Sequence, residues 1–424
     1  MTQLALAPMQ LGIPFLRQCE PLFDENFGIF SEVNLEKNNF LGVTCYNALV
    51  RMRDSRVFGA RGSMGQGGGF SRARACSRAL GEAIERTSSS YRAREDDLFG
   101  SFEELSSSYP LLNPELFPRR AVDAPVLSGM LRFEKTSRVC WTKVQNVLSN
   151  QMFYAPAAFV YMPHSLRAGE DWIEFATSSG LAGGATIEDA TVSGLMELAE
   201  RDAFSLFWLG MRESASLPNS LIEKLKQRIP VLNYGVVLHD ISNDLGVPVV
   251  LAIFEGREKG LPRLAVGAGA ALTLETAAEK ALEELSGCVH FGYKMCKLGT
   301  KPIASVSEIK SFHDHAFYWV HHEDSEILEW LSHPGKAKSQ AKSFESVTEV
   351  MEAWALVNKP VYRVDVTIPE YKEFNLCVVR VLAPALQPLW VMVGFEYLDS
   401  PRLLELCKKE LMPKNFNSRP HPFP

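Results

Sequence analysis

The sequence predicts an α/β (α+β) fold assembled from repeated strand–Gly turn–helix units. Three observations carry this expectation. Val/Ile/Leu-rich runs alternate with long Ala/Leu-rich stretches, the patterns of strands and helices. Three times a glycine cluster is followed, 13–15 residues later, by a glutamate on such a helix: Gly67-Gly68-Gly69 to Glu82, Gly184 to Glu197, and Gly267-Ala-Gly269 to Glu284. The first two units also share their wording, "ALGEAIER" and "GLMELAER". The spacing between copies is far longer than solenoid periods, so the units are expected to fold into one body.

In chain order, residues 1–60 mix short apolar runs with Pro and Asn and suggest no domain of their own, whereas 61–424 reads as one domain. A helix over about 71–93 follows the glycines at 65–69, and the Ser- and Pro-rich residues 101–130 form an irregular connection. Strands are expected at 138–147 and 152–162, then "SSGLAGGAT" leads into a helix over about 187–208. Two further β-like runs, 247–255 and 263–272, precede a third helix over about 274–292. Residues 304–355 look helical and polar, and 360–367 with 376–386 close the fold as strands. The Pro-rich tail, 413–424, should lack regular structure.

The 424 residues are 46% hydrophobic and 22% charged, ordinary for a globular protein with a full core. A net charge of −6 argues against a nucleic-acid binder, which needs a clustered positive field. The basic runs Arg51, Arg53, Arg56, Arg61 and Arg72, Arg74, Arg78 read more easily as anion contacts or solvated faces. Eight scattered cysteines form no Cys-x-x-Cys pair, the usage of free thiols in a reducing compartment. With no signal-peptide pattern and no apolar run long enough to span a bilayer, a cytoplasmic protein without a membrane anchor is expected.

Residues three apart on a helix share a face, so Glu82 and Glu85 present two carboxylates side by side, as do Glu197 and Glu200. Paired like charges raise each other's pKa unless a cation lies between them, and Mg²⁺ takes such hard oxygens. Arg86 and Arg201, one residue past each pair, are placed to neutralise phosphate oxygens. A Glu-x-x-Glu-Arg stretch is equally the signature of a solvated helix face; both readings stand. No P-loop sequence, dinucleotide fingerprint or Gly-x-Ser-x-Gly elbow is present. His313, His315, His321 and His322 fit no zinc spacing and read as a partly exposed cluster. In the final residues, "RPHPFP", proline at every second position enforces an extended strand. It suits a frayed end, a ligand for a proline-reading module, or a rigid tail inserted into a pocket.

Together, "GGGFSRARACSRALGEAIER", "SSGLAGGATIEDATVSGLMELAERDA" and "GAGAALTLETAAEKALEEL" resemble the YcaO superfamily. "VVRVLAPALQPL" and the terminal "PHPFP" are similar to its azoline-forming cyclodehydratase branch. The resemblance implies a fold around a nucleotide cleft and an ATP- and Mg²⁺-dependent enzyme acting on a ribosomally made precursor peptide. A Cys, Ser or Thr side chain attacks the preceding amide, ATP phosphorylates the oxyanion, and loss of phosphate leaves a thiazoline or oxazoline. It assigns Glu82, Glu85, Glu197 and Glu200 to Mg²⁺. Arg78, Arg86, Arg201, Lys280 and Glu284 fall to the nucleotide, and Pro420, Pro422 and Pro424 to the neighbourhood of the reacting amide.

The chain departs from the family pattern at Gly68, where many members carry lysine, at Arg78 for serine, at Ser179 and Ala185 for asparagine, and at Lys280 for arginine. With no fused leader-binding domain in the sequence, the resemblance implies a separate leader-peptide-binding partner protein. A flavin dehydrogenase and a homodimer are admitted as further partners. Thioamide or amidine formation, and a scaffold role without nucleotide, are the alternatives.

Overall fold

A computed structural model describes residues 3–6, 13–24, 26, 28–40, 43–53, 64–90, 94–121, 129–229, 232, 235–413 and 415–423. Arg56, Arg61, Pro424 and the expected end of the first helix at 91–93 lie outside the described residues. The chain opens with β1 (Gln3–Leu6), a short α1 (Pro14–Gln18), the hairpin β2 (Phe30–Phe40) and β3 (Val43–Met52), then β4 (Met64–Gly69) and α2 (Arg72–Ser88). β1 to β4 form one antiparallel sheet in sequence order. Strands from the N-terminal segment, where the sequence suggested no domain, therefore pair with the glycine-rich β4.

Next come β5 (Leu98–Gly100), α3 (Phe102–Leu105), β6 (Val139–Asn146), β7 (Met152–Pro156), β8 (Leu181–Gly184), α4 (Ile187–Gly210) and α5 (Asn219–Arg228). The chain continues through β9 (Val236–Asp240), β10 (Val249–Glu255), β11 (Leu264–Ala270) and α6 (Leu274–Leu298). After α7 (Phe312–His321), α8 (Ser325–Ser332) and α9 (Val347–Leu356), the last elements are β12 (Tyr362–Asp365), α10 (Pro369–Lys372), β13 (Cys377–Leu382) and α11 (Pro401–Lys408). The central sheet runs β5-β6-β12-β13-β8 with β7 also on β6, and β11-β10-β9 form a third sheet. The pairing of β13 with β8 brings Cys377–Arg380 alongside Leu181–Gly184, so the end of the chain closes the middle of the fold.

α2, α4 and α6 begin alike. Ser71, Thr186 and Thr273 adopt extended backbone, and each hydroxyl caps a first-turn N–H, of Arg74, Asp189 and Thr276. The buried face of α2, with Ala75, Cys76, Ala79, Leu80, Ala83 and Ile84, repeats at helical spacing. The distal half of α4, including Phe204, Leu206 and Trp208, is buried on all sides within the largest core cluster.

The glycines differ from expectation: they lie inside strands rather than in turns. The reason is the approach of the following helix. A Cβ at Gly65 would stand 1.8 Å from the Ala79 carbonyl oxygen, and one at Gly67 would stand 2.2 Å from that of Ala75. At Gly267 it would meet the Leu285 nitrogen at 2.2 Å, and at Gly269 the Ala277 oxygen at 2.3 Å. The close approach that these glycines permit is thus largely that of helix against strand. Other boundaries shift. β7 ends at Pro156 because Ala157–Phe159 turn into a 3-10 helix, and α6 continues to Gly299, which ends it in the left-handed region. Among the described residues no helix is long and apolar enough to cross a membrane.

Candidate active site

Because α2, α4 and α6 lie on glycine-bared strands, their glutamates reach backbone amides. Glu82 accepts the N–H of Gln66 at 2.6 Å, and Glu85 that of Gly183 at 2.7 Å. Glu197 accepts from Gly180 at 2.9 Å, Glu200 from Ala270 at 3.0 Å, and Glu284 from Ala268 at 3.2 Å. On α2 and α4 the first carboxylate is held by the preceding segment of its own unit and the second by the strand of the next. Arg86 pairs with Glu82, and Arg201 with Glu197 at 2.6 Å while also donating to the Ser179 hydroxyl.

These helices wall a cavity of about 830 Å³. Every residue that the resemblance assigned to the nucleotide, Arg78, Arg86, Arg201, Lys280 and Glu284, lines it, together with Glu82 and Glu200. Glu85 and Glu197, expected beside them at the metal, do not line it and are held to Gly183 and Gly180. Burial pushes the Glu85 carboxyl up to about 8, and raises Glu82 against the opposing pull of Arg86. Glu200 and Glu284 are raised by burial, and Glu200 further by Glu284 and Glu197. Half-buried carboxylates with raised affinity for protons are groups short of positive charge. Hard oxygen donors beside guanidinium groups fit Mg²⁺ and phosphate. As the side chains stand, no three His, Cys, Asp or Glu groups among the described residues are gathered to hold a metal.

The tail is anchored rather than frayed. Trp208 Nε1 donates to the Arg419 carbonyl at 3.0 Å and Trp319 Nε1 to that of Pro420 at 2.8 Å, while His421 Nε2 meets the Trp390 carbonyl at 2.9 Å. Pro420 and Pro422 are buried behind the cavity, and it is Phe423, packed 4.9 Å from Phe204, that lines it. The histidine cluster divides. His313 faces the cavity, His321 and His322 are exposed, and His315 stacks on His421 at 3.8 Å.

Burial pushes His315 down to about 4, and His421 falls too, through burial and the neighbouring His315. Because these native pKa values lie below the unfolded one, the associated stability is complete above pH ~6.5 and is lost as pH falls towards the native value. The melting temperature of the wild type, relative to His315→Phe, should therefore drop steadily from pH 7 to 4.5. A constant difference would contradict the coupling.

Sequence reasoning missed Arg380. Its side chain is 2% exposed and donates to the carbonyls of Val160 at 2.8 Å, Ser179 at 2.6 Å and Thr177 at 2.8 Å. It fixes the segment that carries Ser179 and Gly180 to Arg201 and Glu197. A charge inside the apolar run "VVRVL" was the available signal.

The profile of the family described as YcaO cyclodehydratase, ATP- and Mg²⁺-binding, matches residues 66–387. The chain belongs to the YcaO family. The matched residues end before the Pro-rich tail. An uncharacterised protein of Methanothermobacter thermautotrophicus is 30% identical over 226 residues, 52% of this chain and 55% of the relative. The match thus covers little more than half the length of this relative. Its fold resembles that of a heterocyclase in complex with substrate and cofactor (TM-score 0.72, 20% identity, all of this chain and 59% of that one). It also resembles YcaO from Methanopyrus kandleri bound with AMPPCP and Mg²⁺ (TM-score 0.60, 20% identity, 90% and 91% of the two chains). At such identities the likeness establishes the fold.

Proposed function

We propose that this YcaO protein is an ATP- and Mg²⁺-dependent cyclodehydratase that converts Cys, Ser or Thr residues of a ribosomally made precursor peptide into azolines. What carries the reading is one cavity that gathers carboxylates from α2, α4 and α6, four cationic side chains and the tail residue Phe423. Glu82, Glu85, Glu197 and Glu200 would hold the metal. The bound nucleotide supplies a phosphoryl group that turns an amide oxygen into a leaving group. Arg86 and Arg201 neutralise charge from opposite helices, and Arg380 keeps Ser179 where Arg201 can rest on it. Phe423 and Val391 give the cavity an apolar wall that excludes water from the reacting amide. No protein nucleophile is needed, in keeping with a site made of acids and cations. A separate leader-peptide-binding protein delivers the substrate.

The test is peptide-dependent hydrolysis of ATP to ADP with the precursor and partner present, followed by mass spectrometry of the peptide. Loss of one water per modified residue is expected. A gain in mass from sulfur replacing oxygen would make the protein a thioamide-forming relative, and no peptide-stimulated turnover by an intact complex would make it a scaffold.

A further inference from the structure

A second, smaller pocket of about 100 Å³ adjoins the active cavity. Ala176 and Ser178 line the cavity, Phe175 and Ser179 line the pocket, and Thr177 and Arg201 line both. Residues 175–179 are thus a thin partition between the two spaces. Much of the pocket wall comes from "VVRVLAPALQPL": every residue from 380 to 389 except Ala385 lines it. This stretch is fixed from α4 by the fully buried Asp202, which accepts the Gln387 N–H at 2.7 Å. Phe117, Phe159 and Leu198 add apolar surface. Against the 830 Å³ of the cavity, the pocket has the size of one side chain.

One acid, Glu174, lines this pocket among the described residues, and it is only 8% exposed. Its Oε1 accepts the Phe175 N–H at 2.8 Å and the Tyr397 hydroxyl at 2.9 Å. Among the described residues Oε2 accepts no hydrogen bond, keeps accessible surface, and Glu174 forms no ion pair. Arg120, the cation whose charge acts on Glu174, donates instead to the Ile173 carbonyl at 3.2 Å and the Met130 sulfur at 2.8 Å. Arg201 and Arg380, also in the wall, are committed to Glu197, Ser179 and three carbonyls, and neither contributes to the field at Glu174. Burial raises the affinity of this carboxyl for a proton against the pull of Arg120. A buried carboxylate without a countercharge is costly, and a cation on an apolar stem would satisfy both the acid and the wall around it.

We infer that this pocket receives the side chain of the precursor residue next to the reacting amide, and selects one with an unbranched apolar stem and a cationic tip, lysine above all, which donates to Glu174 Oε2. The inference rests on reading the adjoining cavity as the cyclodehydratase site. Precursor variants with Lys or the uncharged Met immediately before or after a modified residue test it, with ring formation followed by mass spectrometry. In the wild type, kcat/KM should favour Lys over Met at least about tenfold at one of these two positions. In Glu174→Gln, which keeps an oxygen for the Phe175 N–H and the Tyr397 hydroxyl, that ratio should fall to about one, while Mg²⁺–AMPPCP binds within a few-fold of the wild type. A second measurement needs no turnover. The n-butylammonium ion, a free lysine side chain, should raise the melting temperature of the wild type but not of Glu174→Gln, and equimolar 1-butanol should raise neither. A Lys-to-Met ratio near one in the wild type at both positions, a ratio unchanged in Glu174→Gln, or an n-butylammonium shift equal in the two proteins overturns the proposal. A Glu174-dependent n-butylammonium shift in a protein that modifies no precursor variant would keep the cation pocket and overturn the functional reading instead.

Discussion

Glu85→Gln is expected to raise the melting temperature and to abolish turnover. The glutamine keeps an oxygen for the Gly183 N–H, which Glu85 accepts at 2.7 Å, and removes only the charge. Burial holds the native carboxyl at about 8 against an ordinary value of 4.5. A native pKa above the unfolded one means stability that is present in acid and drains away as pH rises through that window. At pH 8 the ionised group therefore strains the free protein, and its removal should add roughly 2 °C or more by differential scanning fluorimetry. The same charge is what a divalent cation would use, so peptide-dependent ATP hydrolysis should fall at least about 100-fold. The two effects have opposite signs. A lower melting temperature with normal turnover would make Glu85 a structural carboxylate and return its helix to the scaffold.

Truncation after His421 should remove ring formation while leaving Mg²⁺–AMPPCP binding within a few-fold of the wild type. The anchors of the tail lie upstream of the cut, at the Arg419 and Pro420 carbonyls and the His421 ring, so the strand stays seated. What leaves is Phe423, 3% exposed and part of the cavity wall. Loss of a buried phenylalanine costs about 3–5 kcal/mol, so Phe423→Leu, which keeps bulk, should report the same trend with the fold better preserved. Full peptide cyclisation by the truncated protein would sever the tail from catalysis.

The recurrence of glycine, helix and glutamate was legible because both periodicities are local, and it led to the residues that line the cavity. The role of the glycines was not legible. Gly65 and Gly267 look the same in sequence whether a phosphate or the Ala79 and Leu285 backbones approach them. Arg380 escaped because its partners, Val160, Thr177 and Ser179, stand about 200 residues away in the chain. For the tail, alternate prolines indicated an extended strand, but the Trp208 and Trp319 donors that seat it belong to helices more than 100 residues upstream.

The reach of Glu85 to Gly183 and of Glu200 to Ala270 makes the acidic cluster a joint between units. Such a joint cannot form while a single unit folds alone, since each carboxylate finds its amide only once the neighbouring strand has arrived. The arrangement of these carboxylates therefore depends on all the units being assembled and is lost when any one of them loosens.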